Sequence, residues 1–153
     1  MSNKWDARFM ELAQLVALWS KDRSRKTGAV IVSTDRSILS TGFNGFPRGV
    51  NDDASERHER PAKYRWTEHA ERNAIYGAAK HGVLLQGSTM YLSWYPCMDC
   101  ARAIIQSGIK YLVCIKPDWD DPIWKQDFAD VAILLKEGEV LARFAEGSAP
   151  EMQ

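Results

Sequence analysis

Four side chains have the types and spacing of a reactive centre: His69 and Glu71 in the run His69-Ala-Glu71, and Cys97 and Cys100 in Pro96-Cys97-Met-Asp-Cys100. One imidazole nitrogen and two thiolates are donors that zinc prefers. Three protein ligands leave a fourth tetrahedral position open for water, as catalytic rather than structural sites do. Cysteines at i and i+3 stand one turn apart, and at a helix N-terminus the macrodipole and a metal both favour the thiolate. Glu71 lies too close to His69 to be a second ligand on the same helical face. In a helix's first turn it can instead lean beside the metal and take a proton from bound water, whose pKa a metal lowers towards about 7. Alone, Cys-x-x-Cys is equally a redox pair or half of a structural zinc site. Thioredoxin-like chemistry has no use for His69 or Glu71, so the combination points to hydrolysis at an open metal.

Such a site needs a scaffold that joins distant segments. Trp5, Phe9, Leu12, Val16 and Trp19 recur at helical spacing, predicting a helix from Trp5 to Ser20. The β-branched run Ala29–Ser33 and the run Ile38–Gly42, around a polar turn, predict a hairpin. Residues 43–66 hold Gly45, Pro47, Gly49 and Pro61 with no sustained period, and a long irregular stretch of that kind predicts the border of a site. Thr67 is the expected cap of a helix over Glu68–Lys80, stopped by Gly82. A strand at Thr89–Trp94, a helix at Cys97–Ser107 stopped by Gly108, and a strand at Tyr111–Ile115 follow. Trp124, Phe128, Val131 and Leu135 mark a last helix, and Glu139–Phe144 a last strand. The order αββαβαβαβ predicts an α/β fold: a sheet covered by helices, one antiparallel hairpin at the start and parallel pairs across the later crossovers. Ligands in such sheets collect at the carboxyl ends of strands. Both motifs, each at a helix start after a strand and loop, can therefore meet.

Composition narrows the partners. The 153 residues carry 20 Lys+Arg against 20 Asp+Glu, so no overall field draws the chain to nucleic acid or an anionic membrane. A small-molecule partner and local anion contacts are expected. The length fits one domain, placed at residues 1–146 with a frayed tail at 147–153. Three cysteines are too few, and odd in number, for a disulfide framework, and point to a reducing compartment. Cys114, within Leu-Val-Cys-Ile, reads as a buried inert thiol, while His58 and His81 read as solvated. No apolar run approaches the ~18 residues of a membrane span, and the opening residues are no signal peptide, so a cytoplasmic protein is expected.

The pairing of His-x-Glu with Pro-Cys-x-x-Cys is the signature of zinc nucleobase deaminases. The chain resembles the cytidine deaminase superfamily and, within it, the deoxycytidylate (dCMP) deaminases. The likeness runs through Ser20-Lys-Asp22, Thr27-Gly-Ala-Val-Ile-Val32, Gly42-Phe-Asn-Gly45, His69-Ala-Glu71-Arg-Asn73-Ala-Ile75, Thr89-Met-Tyr91, Pro96–Ala101 and Ile105–Lys110. It implies a three-layer fold with a five-stranded mixed sheet between helices. It also implies one catalytic Zn2+ per subunit on His69, Cys97 and Cys100, and hydrolysis of dCMP to dUMP and ammonia. Zinc hydroxide would attack C4, with Glu71 carrying the proton to N3 and then to the leaving amine. Asn44 matches the asparagine expected to hold the sugar hydroxyl, and Ala70, Tyr95 and Pro96 fall where substrate-binding residues are expected. Many members are hexamers activated by dCTP and inhibited by dTTP, with the Gly-x-Asn-Gly region, here including Gly45, near the effector site. Lys21, Arg23, Arg25 and Lys26 are candidate phosphate or effector contacts, although a solvated helix end is an equal reading of that run. A homo-oligomer, a hexamer among the options, is implied with them.

The chain also departs from the pattern. Residues 46–66 contain His58 but no cysteine, against a second, structural zinc that some members bind there. The segment Arg60-Pro-Ala-Lys-Tyr-Arg-Trp66 is unlike the dCMP deaminases and abuts the expected pocket, which opens substrate choice and effector control to change. Tyr95 stands before Pro-Cys, where the tRNA adenosine, guanine and riboflavin-pathway deaminases usually have Glu. Phe46, Trp66, Trp94, Tyr95 and Trp119 fall near the expected site, for stacking on a base or for ordinary packing. Two alternatives remain open: a deaminase of another nucleotide or base (5-modified dCMP, CMP, guanine or tRNA adenosine), and a catalytically silent zinc protein that senses nucleotides.

Overall fold

The computed structural model describes residues 4–146, so the expected tail at 147–153 lies outside the description. Helix α1 spans Lys4–Ala17 and is followed by the hairpin β1 (Gly28–Val32) and β2 (Ile38–Phe43). A single 3-10 turn at Ser55–His58 and the short helix α2 (Lys63–Trp66) lead to α3 (Ala70–Lys80). Then come β3 (Thr89–Leu92), α4 (Met98–Gln106), β4 (Tyr111–Cys114), α5 (Lys125–Glu137) and β5 (Leu141–Phe144). The sheet order is β2-β1-β3-β4-β5.

Alternation along the central strands separates two cores. Ala29 and Ile31 of β1, Met90 and Leu92 of β3, and Leu112 of β4 face α3, α4 and α5. Their neighbours Val30, Val32, Tyr91 and Val113 face α1 through Phe9, Met10, Ala13 and Val16. The result is the expected three-layer α/β sandwich. One pairing differs from expectation: β1 is antiparallel to β3 as well as to β2. The crossover through α3 makes β3 parallel to β2, but β3 lands beside β1, so a second antiparallel pair follows. The later pairs β3–β4 and β4–β5 are parallel, as expected.

Three local expectations need correction. Helix α1 ends at Ala17, and Trp19 lies beyond it with 56% exposure, while Asp6, absent from the predicted stripe, sits on the buried face. Residues 43–66 are not wholly irregular, since the 3-10 turn and α2 lie within them or at their edge. Thr67 does not cap α3; its N–H closes α2 on the Lys63 carbonyl at 2.9 Å, and His69 takes the N-cap position without a side-chain cap. Gly82 and Gly108 do stop their helices, with φ of +67° and +82°.

Two glycines set how closely helices lie on the sheet. A Cβ on Gly28 would stand 2.0 Å from the Ala13 carbonyl oxygen of α1, and one on Gly42 would stand 2.3 Å from the Ala70 carbonyl oxygen of α3. Only hydrogen fits at either position. Gly42 thereby seats the start of α3, which carries the first site motif, directly on β2. No described helix is long and apolar enough to cross a membrane.

Candidate active site and metal centre

The two motifs meet at the carboxyl end of β3. His69 and Cys97 are the N-cap residues of α3 and α4, so both helix N-termini point at one spot. Local bonds hold the first of these. Gly45 and Glu68 exchange two backbone bonds of 3.0 and 2.8 Å, and the Asn73 amide donates to the Phe43 carbonyl at 2.8 Å. The Gly28 N–H donates to Ser93 Oγ at 2.9 Å, tying β1 to the loop that leads into Pro96-Cys97.

The ligand atoms converge. His69 Nδ1 lies 3.5 Å from Cys97 Sγ and 3.4 Å from Cys100 Sγ, and all three lie within 4.8 Å of one another. Zinc bonded to nitrogen at about 2.05 Å and to sulfur at about 2.3 Å, with tetrahedral angles, separates those donors by roughly 3.5–3.8 Å. Both nitrogen–sulfur separations match that ion. The charges agree. The hydrogen bond from Cys100, with further help from His69, pulls the Cys97 thiol well below its ordinary value, while sharing with Cys97 and burial push Cys100 up. The hydrogen bond to Cys97 raises His69. Without a metal the three groups thus share protons that a divalent cation would displace.

Glu71, one residue into α3, is buried to 4% exposure in the same place. Burial, and then the nearby Cys97, push its carboxyl above the usual carboxylate range. A carboxyl raised in this way and kept from water holds a proton more readily than an exposed one, as a general acid–base needs and a surface charge does not. Ala70 and Pro96 are fully buried on either side of the ligands. Tyr95 is also buried. Its ring meets Trp119 and Phe128 edge-on at 5.8 and 5.6 Å, and burial pushes its phenol up to about 12. Cys114 is fully buried, with its thiol pushed up to about 12 by burial, as an inert core residue should be.

Asn44 is 9% exposed and spans two strands of chain: its Oδ1 accepts from the Thr27 N–H and its Nδ2 donates to the Arg25 carbonyl, both at 2.8 Å. The basic run sorts by partner. Lys21 is paired with Asp52 at 2.8 Å and Asp53 at 3.4 Å, and Arg23 donates to Ser55 Oγ at 3.1 Å. The Arg25 guanidinium lies 3.8 Å from the centre of the Trp94 ring, and Lys26 is exposed. His58 is not simply solvated: it is half-buried, stacks on Phe46 at 4.6 Å and has Nε2 2.6 Å from the Asp52 carbonyl. Aromatic contact outweighs hydration in that loop. His81 is exposed. A cavity of about 180 Å3 opens among Lys21, Asn44, Gly45, Phe46, His58 and Thr67. A larger hollow of about 280 Å3 lies at the other end of the strands, by Thr89 and Tyr111, and no metal ligand reaches it.

Sequence reasoning passed over Glu68, Arg72 and Asp99. Glu68 Oε1 accepts from the His69 N–H at 3.1 Å and from Arg72 Nε at 2.5 Å, and Arg72 Nη1 lies 3.6 Å from Asp99, in the first turn of α4 between the two cysteines. One arginine therefore links the two helix starts that carry the ligands. The i,i+4 pair Glu68/Arg72 was the visible signal; its reach to Asp99 was not.

A mixed sheet that delivers one histidine, two cysteines and a buried glutamate to one point defines a metal-dependent enzyme of hydrolytic type. Residues 3–116 match the model described as cytidine and deoxycytidylate deaminase zinc-binding region, and the chain belongs to that family of zinc-dependent deaminases. It is 46% identical over 114 residues, 74% of each chain, to an uncharacterized deaminase in the luxG 3' region of Aliivibrio fischeri. It is 37% identical over 123 residues to the deoxycytidylate deaminase of Mus musculus, covering 77% of this chain and 68% of that one. Among solved structures, the dCMP deaminase of cyanophage S-TIM5 in complex with dCMP and dUMP superposes with a TM-score of 0.76 at 26% identity, over 95% of this chain and 99% of that one.

Proposed function

We propose that this chain hydrolyses dCMP to dUMP and ammonia. The observation that carries the reading is the convergence of His69, Cys97 and Cys100 on one point beside the buried Glu71. Relatives that are deoxycytidylate deaminases, one of them solved with dCMP and dUMP, support the choice of substrate. Bound by His69, Cys97 and Cys100, zinc supplies a water acidic enough to act at neutral pH. Glu71 would take one proton of that water and pass it to N3 of the ring, then take the proton of the hydroxyl formed at C4 and give it to the amine as the C4–N4 bond breaks, so that water and dCMP leave as dUMP and ammonia. The raised carboxyl suits that double duty. Ala70 and Pro96 wall the base, with Tyr95 behind them, and Asn44 takes the sugar hydroxyl. Lys21, Arg23, Arg25, Lys26 and Gly45 stay with the phosphate or a dCTP or dTTP effector. Residues 1–146 act as one domain, in a homo-oligomer, with a hexamer the first form to look for. The free thiols fit a reducing cytoplasm.

The test is a substrate panel. Zinc-loaded protein is incubated with dCMP, 5-substituted dCMP, CMP, deoxycytidine, dCTP, guanine and a tRNA anticodon stem, and ammonia is measured. Turnover of dCMP above the others is expected. Absence of turnover with every cytosine compound overturns the reading, and tight dCTP binding without any turnover would make the chain a nucleotide sensor.

A further inference from the structure

The larger hollow, of about 280 Å3, lies apart from the metal ligands, and the layering of the fold explains why it exists. Helices α3, α4 and α5 share one face of the sheet, whereas among the described residues α1 alone covers the other. One helix roughly 10–12 Å wide cannot roof five strands spaced about 4.8 Å apart. At the start of α1 a gap stays open, bounded by Trp5 and Phe9 of the helix, Tyr91 and Tyr111 of β3 and β4, and two arginines, Arg36 and Arg143. Four aromatic rings and two guanidiniums thus line one small space.

The two arginines differ in their partners. Arg143 uses Nε and Nη2 on the Asp6 carboxylate, at 3.0 and 2.8 Å, and Asp6 also accepts from the Tyr91 hydroxyl at 2.8 Å. The one acid that lines the hollow is therefore matched by one arginine. Arg36 makes no ion pair among the described residues. Its guanidinium carbon lies 4.8 Å from the centre of the Trp5 ring, and its neighbour Asp35 is turned into its own loop, where it accepts from the Ser37 N–H at 3.0 Å.

The backbone adds an independent observation. The Ser33 N–H donates to the Ser37 carbonyl at 2.9 Å and the Arg36 N–H to the Ser33 carbonyl at 3.0 Å, closing a tight hairpin turn in which Arg36 has a φ of +70°. Glycine takes that conformation without strain, and a long side chain does not. The turn alone gives no reason for arginine. A guanidinium carried over Trp5 to the wall of the hollow does.

We infer that this hollow is a second ligand site, for a small anion of one aromatic ring, whose carboxylate or phosphate lies on the Arg36 guanidinium and on the Arg143 Nη1 that Asp6 leaves unused, while its ring packs among Trp5, Phe9 and Tyr111. A planar fork without an acid of its own is suited to two oxygens of an anion, and aromatic rings pack on one another edge-on or offset. The volume sets the size of the ligand. It falls just below the roughly 300–1,000 Å3 of pockets for drug-sized molecules, which suits one ring with its charged group and not a nucleoside triphosphate. The site stands whether or not the chain deaminates dCMP.

The experiment is isothermal titration of the zinc-loaded full chain with benzoate, phenyl phosphate, phenol and inorganic phosphate, with and without saturating dCMP. Benzoate or phenyl phosphate should bind one to one, the tighter of the two identifying the anionic group. Phenol and inorganic phosphate, each lacking half of the ligand, should bind at least about 10-fold more weakly. Saturating dCMP should leave the affinity unchanged. At about 100 times its Kd the ring anion should raise the melting temperature by roughly 5–10 °C. Arg36→Gly should weaken its binding roughly 10-fold or more and yet melt no lower than the wild type, because glycine relieves the turn, and Arg36→Lys should recover only part of the affinity. No saturable binding of either ring anion, or equal affinity in Arg36→Gly, overturns the site. Displacement by dCMP places the anion in the catalytic pocket and overturns it too, and inorganic phosphate binding as tightly as phenyl phosphate overturns the role given to the rings.

Discussion

Replacing Gly42 with alanine should damage the metal site without touching any ligand. The new Cβ would stand 2.3 Å from the Ala70 carbonyl oxygen, 2.4 Å from the Ala74 nitrogen and 3.0 Å from the Ala74 Cα, where ordinary contact begins at 3.4 Å. All three obstacles are backbone of α3, so the helix start must retreat by about 1 Å, as a close-packed interior has no slack to absorb the overlap. Ala70 sits between His69 and Glu71. A shift of that size exceeds by several-fold the ~0.2 Å that metal–ligand bonds tolerate, and a misplacement of 1 Å at a catalytic group costs roughly 100-fold in rate. Overpacking costs about 1–3 kcal/mol, or a fall in melting temperature of roughly 3–10 °C in a domain of this size. Competition with a chromophoric chelator reads zinc affinity, expected to fall at least about 10-fold, and calorimetry reads stability. Gly45→Ala is the comparison, since its Cβ would meet only Phe43 ring carbons at 3.6 and 3.8 Å. If Gly42→Ala keeps wild-type zinc affinity and melts with the wild type, the claim that this glycine seats the site is wrong.

Glu71→Gln should hold zinc at wild-type stoichiometry while kcat falls roughly 10²- to 10⁴-fold, whereas Cys97→Ala should lose the metal, and elemental analysis with ammonia release separates the two. Arg72→Ala cuts the link between Glu68 and Asp99, leaving Asp99 to Arg102 alone, so zinc affinity should weaken by roughly 10-fold, as for other groups that brace ligands from behind, with kcat of the zinc-saturated protein much less affected. Asp6 links α1 to β3 and β5, accepting from the Tyr91 hydroxyl at 2.8 Å and from Arg143 at 2.8 and 3.0 Å. Burial alone would raise its pKa, but hydrogen bonds from Arg143 and Tyr91 outweigh it and leave it depressed. The stability it contributes is therefore present above the ordinary carboxylate value near pH 4 and is lost as pH falls through the lowered one. Asp6→Asn should lower stability by roughly 2–3 kcal/mol at pH 7, and its melting temperature should fall less steeply below pH 4 than that of the wild type. Parallel slopes would exclude Asp6 as the source.

The elements that were legible are those whose signals are local. Gly82 and Gly108 stop their helices because a positive φ is demanded just past the last turn, and Phe128, Val131 and Leu135 of the predicted stripe place α5 because that face packs on the core, while Trp124 stands exposed at its N-cap. Where the reading slipped, a distant partner had decided. Trp19 continued the period of α1 on paper, yet the helix stops at Ala17 and Trp19 turns out to meet Phe43 edge-on at 6.1 Å. Asp6, which no local pattern singled out, is held on the buried face of α1 by Arg143, 137 residues away. His58 lost water to the face of Phe46. The second antiparallel pair in the sheet depended on where β3 lands, which no stretch of β3 itself encodes.

The site divides in the same way. The sequence by itself determined the donor chemistry: which atoms bind, that two of them share one helical turn, that a carboxylate stands two residues after the histidine, and that glycine and proline punctuate the surrounding loops. Those are properties of residue type and short spacing. Only the tertiary structure decided that His69 Nδ1 lies within 3.5 Å of both sulfurs, that Glu71 is stripped of water, and which cations of the basic run are already neutralised. Each of these depends on contacts between segments tens of residues apart, and the close approach permitted at Gly42 and Gly28 is what brings those segments together. Burial, distance and the field of neighbouring charges exist only once the chain has closed on itself.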